Sequence, residues 1–307
     1  MDIYLPIAEV SVNAPLLVAV GALVGFISGL FGIGGGFLMT PILVFLGIPA
    51  PVAVSSMANH VAASSMSSVI AYSRRRAVDL RMGLVLAIGG VIGAFVGVEL
   101  FRWLRLLGQA DLIVAISYLL FLSVIGGLML TESLGAILRR RRGDPQPPRR
   151  DRRPVWLYGL PFKMRFPRSR LYISVLPPLV LGGFVGVLSA IMGVGGGFIL
   201  VPAMIYVLRM PASVVVGTSL LQIIVTTALT GVLQAGRNQT VDIVLASLLL
   251  VGGIVGAQYG ARASARFRAE ELRAVLALIV LLVGLRMGLD VILAPEEPFV
   301  LMSGLGG

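Results

Sequence analysis

The chain has 307 residues, 57% of them hydrophobic, a mean hydropathy of +0.98 and a formal net charge of +11. Soluble domains hold roughly 45–50% apolar residues, so an ordinary soluble globule is excluded and the chain reads as an all-α polytopic membrane protein. The charge does not imply nucleic acid, because residues 139–170 hold twelve of the 25 Lys and Arg against only Asp144 and Asp151, and the remainder is close to neutral. There is no cysteine, which removes disulfides, thiol catalysis and thiolate metal sites. One histidine adds little for a metal, so neither metal nor cofactor is expected.

The N-terminus, Met1-Asp2-Ile3-Tyr4-Leu5-Pro6, lacks a basic stretch and a cleavage pattern, and no signal peptide is expected. The first apolar run, Pro15 to Phe31, is barely a span, since roughly 20 helical residues cross a bilayer core. It stops at Gly32-Ile33-Gly34-Gly35-Gly36-Phe37. The next run, Phe37 to Leu46, reaches only about half the core. Val52 to Tyr72, Met82 to Phe101 and Ala110 to Leu130 are each of spanning length. The basic segment that follows contains Pro145, Pro147 and Pro148, which mark a loop. Its end, Val155 to Phe162, mixes aromatics with flanking charge and is expected at the membrane surface.

From Ile173 the pattern recurs. Leu30–Pro41 aligns without gaps to Ile191–Pro202, identical at six of twelve positions, and Gly89 to Ala94 aligns to Gly252 to Ala257. The chain is therefore an internal duplication: a first repeat at 1–138, a basic cytoplasmic loop at 139–172 and a second repeat at 173–307. Each repeat holds a glycine-broken pair of short helices plus three spans. The positive-inside rule places the central loop, Arg74–Arg76 and Arg262, Arg266 and Arg268 inside, with both termini outside. An odd number of crossings per repeat then gives the halves opposite orientation, and broken helices at matching places point to a transporter site near the midplane.

The repeat, the paired Gly-x-Gly-Gly-Gly-Phe loops, and Val78-Asp79 with Val241-Asp242 resemble the sulfite exporter TauE/SafE family, also called the 4-toluene sulfonate uptake permeases. The resemblance covers nearly the whole chain. It implies a bacterial inner-membrane transporter of sulfur-containing anions such as sulfite, sulfonates or sulfoacetate, in some members linked to taurine degradation. Direction is not implied, since the family covers import and export. The long Arg-rich central loop departs from what the fold requires.

The residues themselves offer two sets of candidates. Glycine loops that open helices present unpaired N–H groups and the positive end of the helix dipole, which suits an anion; these are Gly34, Gly35 and Gly36, and Gly195, Gly196 and Gly197. A tight structural turn is the alternative. Pro41 and Pro202 each free a helical carbonyl, with a kink as the alternative use. Ser55, Ser56, Asn59 and His60 in one helix, and Thr218, Ser219 and Gln222 in the other, put uncharged donors on shared faces. They serve either as anion ligands or as interhelical hydrogen bonds. His60 could carry a proton, donate to substrate or bond Ser56 locally. Asp79, Asp242, Glu99 and Asp111 fall near helix ends, where capping or interfacial solvation accounts for them. Gly89, Gly93 and Gly97, with Gly252, Gly256 and Gly260, have small-xxx-small spacing; close helix approach within one chain is the expected use and a homodimer the other. No nucleophile sits with a base and an orienting carboxylate, so no enzyme is expected. A transporter or channel for another small anion or ion on the same fold is the competing function.

Overall fold

The apolar runs become helices at nearly the positions their lengths dictate. The computed structural model describes residues 2–31, 35–74, 77–141, 161–264 and 269–293. The first half contains α1 (Ala14–Phe31), α2 (Gly36–Phe45), α3 (Ala50–Arg74), α4 (Leu80–Leu106) and α5 (Ala110–Arg141). The second contains α6 (Leu176–Met192), α7 (Gly197–Tyr206), α8 (Ala212–Leu233), α9 (Ile243–Ala263) and α10 (Ala269–Leu293). A π-helical turn, Gln234–Asn238, extends α8. At 1.5 Å per residue α2 and α7 reach about 15 Å, half a hydrocarbon core.

Among the described residues, five helical segments are long and apolar enough to cross a membrane: Ala14–Phe31, Leu80–Leu106, Leu112–Gly135, Ser213–Asn238 and Ile243–Ala263. The protein is a multi-pass membrane protein. Helix α3 was expected to join this set and has the length, at 25 residues. Its serines, Asn59 and His60 make it too polar, and most of them are buried, which marks α3 as an inner helix wrapped by others.

The fold is mostly helical, in keeping with the all-α expectation, and two short hairpins add to it. Strands β1 (Asp2–Leu5) and β2 (Val10–Asn13) pair as one antiparallel hairpin, and β3 (Lys163–Phe166) and β4 (Leu171–Ser174) as a second. Four-residue strands are too short to register as periodicity in sequence. The basic segment is also not wholly a loop: α5 continues past Leu130 to Arg141, and the second hairpin takes up its end. The proline cluster, and the aromatic stretch as far as Leu160, lie outside the described residues, as do Arg75, Arg76, Arg266 and Arg268.

Packing joins the two halves. Helix α1 lies along α9, α4 along α6, α5 along α10 and α3 along α8. The first two seams are parallel and run through glycine. A Cβ added to Gly252, Gly256 or Gly260 would stand 2.1, 2.0 and 2.0 Å from the carbonyl oxygens of Val18, Ala22 and Phe26. At Gly89 and Gly93 the oxygens of Leu179 and Gly183 would be 2.1 and 2.0 Å away. No methyl fits there, so the small-residue spacing serves backbone approach within the chain.

Candidate functional site

The two glycine stretches meet. Gly35 (φ 66°) caps α2 and Gly196 (φ 74°) caps α7, both left-handed, and among the described residues no side chain caps either helix. This region is nearly closed to residues with a Cβ, so glycine is what allows each short helix to start there. A Cβ on Gly36 would lie 2.6 Å from the Val194 carbonyl oxygen, and the Phe37 and Phe198 rings meet at a 35° tilt with centroids 5.8 Å apart. Gly195 (φ 74°) faces Val61, Ile223 and Thr227, and Gly197 is the buried first residue of α7. Gly34 lies outside the described residues. The first-turn amides of a helix have no intrahelical acceptor, so two sets of N–H donors open close to one another. Pro41 and Pro202 sit inside these same helices.

Several predicted polar residues are committed to the protein. Ser56 Oγ accepts from the Asp242 amide at 2.9 Å, and Thr218 Oγ1 accepts from the Asp79 amide at 3.0 Å. Each aspartate in turn caps a helix, Asp79 accepting from Met82 N and Asp242 from Leu245 N, as their positions predicted. Their second oxygens hold the hairpins: Asp242 Oδ2 accepts from Ile7 N at 3.1 Å, and Asp79 Oδ2 accepts from Ser169 N and Oγ at 2.9 and 2.7 Å. Ser55 Oγ bonds the Pro51 carbonyl at 2.8 Å and Thr240 Oγ1 at 2.6 Å, while Ser219 donates to the Val216 carbonyl. Asn59 is half-buried against Gly231. Glu99 pairs with Arg102 and Arg237.

His60 and Gln222 differ from these. His60 does not bond Ser56; its Nδ1 lies 2.9 Å from the Leu249 carbonyl of α9. A carbonyl only accepts, so Nδ1 carries hydrogen. Nε2 is buried without a hydrogen-bond partner among the described residues. Gln222 occupies the equivalent place in the second half. Its Nε2 donates to Thr226 Oγ1 at 2.9 Å, and its Oε1 is likewise buried and unpartnered. Each side chain rests on a glycine: a Cβ on Gly253 would stand 1.9 Å from His60 Cε1, and one on Gly90 would stand 2.8 Å from Gln222 Nε2.

Sequence reasoning missed four participants. Ser28 and Ser189, both fully or almost fully buried, have hydroxyls without a hydrogen-bond partner among the described residues. Each stands four residues before the first glycine of its loop, and extending the repeat alignment backward reveals the pair. Tyr118 and Thr40 donate to the Met192 carbonyl at the end of α6, at 2.8 and 3.4 Å. Nothing in the repeat signals these two, since Thr40 aligns with Val201. Among the described residues no group of three His, Cys, Asp or Glu could hold a metal ion.

A multi-pass helical protein with buried neutral polar groups around two glycine-capped half-length helices has the build of a membrane transporter. The profile described as Sulfite exporter TauE/SafE matches residues 17–287, and the chain belongs to this family of membrane transporters rather than to any class of enzyme. A "Probable membrane transporter protein" of Xylella fastidiosa is 32% identical over 77% of this chain and 79% of its own length. The "Probable membrane transporter protein YjnA" of Bacillus subtilis is 28% identical over 88% of this chain and 98% of its own. The "Sulfite exporter TauE/SafE family protein 3" of Arabidopsis thaliana is 33% identical over 39% of this chain and 26% of its own. No solved structure matches the chain.

Proposed function

We propose that this protein moves small sulfur-containing anions, sulfite, sulfonates or sulfoacetate, by alternating access around a site between two halves of inverted topology. The observation that carries this reading is the meeting of the α2 and α7 N-termini, uncapped by side chains and flanked by buried unpartnered polar atoms. Neutral donors suit a sulfo group because they bind the anion without holding it as firmly as a full positive charge. Gly34 to Gly36 and Gly195 to Gly197 supply amides, and Asn59, His60 and Gln222, with Ser55, Ser56, Thr218 and Ser219 on the same helices, form the surrounding polar set. The sulfur class rests on the family's description.

Three patterns favour the inverted repeat. The α1–α9 and α4–α6 seams exchange under a swap of halves. So do the two hairpin contacts, Ile7 to Asp242 and Ser169 to Asp79. Each contact also joins segments that the charge count assigns to one side of the membrane: the N-terminus with the start of α9 outside, and the basic segment with the start of α4 inside. On this reading the second repeat begins with its hairpin, near Lys163, rather than at Ile173, and the protein resides in a bacterial inner membrane with both termini outside.

Purified protein in liposomes should pass sulfite and a simple sulfonate, and Gly35→Val or Gly196→Val should abolish that flux. A side chain at Gly35 would stand 2.7 Å from Ser28 Cβ, and one at Gly196 would stand 2.2 Å from Val185 Cγ1. Gly47→Ala, also at positive φ (82°) but with open space around it, should retain flux. Flux that survives both valines in folded protein would remove the loops from the site.

A further inference from the structure

We infer that His60 is a proton-binding site, and that the transporter carries one proton with each monovalent anion. The inference rests on the anion reading above and names the coupling ion that reading leaves open.

The geometry at His60 admits few alternatives. Because Nδ1–H is directed at the Leu249 carbonyl at 2.9 Å, the neutral ring presents only a lone pair at Nε2. A lone pair repels an anion. For Nε2 to face an anion it must hold a proton, and the ring is then a cation with both N–H groups donating. A buried polar atom left without a partner is costly, and protonation together with anion binding satisfies both charges at once.

Helix α1 connects the ring to the glycine-capped helix. It rests on Gly253, and a Cβ on Gly25 of α1 would stand 2.3 Å from the Gly253 carbonyl oxygen. One residue short of a full turn further along α1 is Ser28, whose Cβ and Oγ would be 2.7 and 3.2 Å from a Cβ on Gly35. Ser28 Oγ is itself buried and without a partner among the described residues. Through Gly25 and Ser28, α1 therefore links the support of the His60 ring to a second orphaned polar group and to the N-terminus of the ten-residue α2.

Among the described residues no fixed charge competes for this place. Helices α1, α2, α6 and α8 contain no Asp, Glu, Lys or Arg. Helix α9 brings its cap Asp242 about 10 Å along the axis from Leu249, with Tyr259 and Arg262 at its far end. Helix α5 brings Tyr118, occupied by the Met192 carbonyl, and carries Asp111, Glu132 and Arg139–Arg141 nearer its ends. On α3 itself the other ionisable residues are Tyr72 and Arg74 in the last turn. The second half places Gln222 where the first has His60, so one proton per cycle follows from the asymmetry. The step balances simply: a proton from water adds to Nε2 as the anion binds, and both leave on the far side.

Methanesulfonate is the suitable probe, since it stays ionised at neutral pH and brings no proton of its own. In liposomes with the membrane potential clamped at zero, a tenfold inward proton gradient should drive about tenfold accumulation, and His60→Gln should abolish that accumulation. Accumulation driven by voltage alone, or unchanged in His60→Gln, overturns the inference. The single histidine gives a second readout independent of flux, with protein purified without a histidine tag. Its Nε2 nitrogen resonance should move from the unprotonated to the imidazolium position as methanesulfonate saturates, and a ring that stays neutral at saturation overturns the inference. If the wild type passes neither sulfite nor sulfonate, the transport reading falls. The resonance measured against chloride, sulfate and phosphate then decides the proton site separately: protonation by one of them upholds it, and none refutes it.

Discussion

Gly253→Ala is expected to lower anion flux at least about tenfold and stability by about 1–3 kcal/mol, the range for overpacking a filled interior. The added methyl would stand 1.9 Å from His60 Cε1, and the ring cannot simply swing away. Nδ1 is tied to the Leu249 carbonyl one turn earlier on the same helix, and the α1 backbone closes over Gly253 at Gly25. Relief requires either breaking that bond or parting α1 from α9. The mirror substitution, Gly90→Ala, meets Thr226 Oγ1 at 2.3 Å and Gln222 Nε2 at 2.8 Å, and should act alike. Gly127→Ala, with open space around it, serves as the control and should leave both quantities unchanged. Flux assays in liposomes and thermal unfolding in detergent measure the two effects. Wild-type flux in Gly253→Ala would show that the position of His60 is not critical.

The second large effect falls on the buried aspartates. Asp79 accepts three hydrogen bonds, from Met82 N, Ser169 N and Ser169 Oγ, and Asp242 accepts two, from Leu245 N and Ile7 N. Each donor left unsatisfied costs about 1–3 kcal/mol, and a lost helix cap alone costs about 1 kcal/mol. Asp79→Ala should therefore destabilise by several kcal/mol, about 3–5 by that scale, and more than Asp242→Ala. Asp79→Asn should fall between, because an amide keeps one acceptor but turns N–H toward the Ser169 donors. Thermal unfolding ranks the three, and protease nicking of 163–174 should rise in both Asp79 variants. Equal losses at the two aspartates would mean that the Ser169 Oγ bond, the one in which the two sites differ, contributes nothing.

The sequence revealed what periodicity and repetition can encode. Helix positions followed from apolar length, the duplication from Gly-x-Gly-Gly-Gly-Phe, and the caps at Asp79 and Asp242 from their place before an apolar run. It did not reveal partners. Ser56 and Thr218 read equally as anion ligands or interhelical hydrogen bonds, because the amides that occupy them belong to residues 186 and 139 positions away. His60 appeared able to bond Ser56 one turn back, yet its partner is 189 positions downstream. The hairpins escaped notice because four residues show too little alternation to register. Ser28 and Ser189 look ordinary in apolar helices, and only burial without a partner distinguishes them.

The glycine seams also bear on how the protein is made. Helix α1 leaves the ribosome more than 200 residues before α9, which fills its groove. Until then Gly21, Gly25 and Gly29 present bare backbone to lipid. Helix α4 waits in the same way for α6, so the first half has no finished neighbour of its own and its assembly awaits the second. Two separately translated pieces, cut within residues 142–160, would thus be obligate complements: each left unassembled alone, and a working carrier restored only when both occupy one membrane.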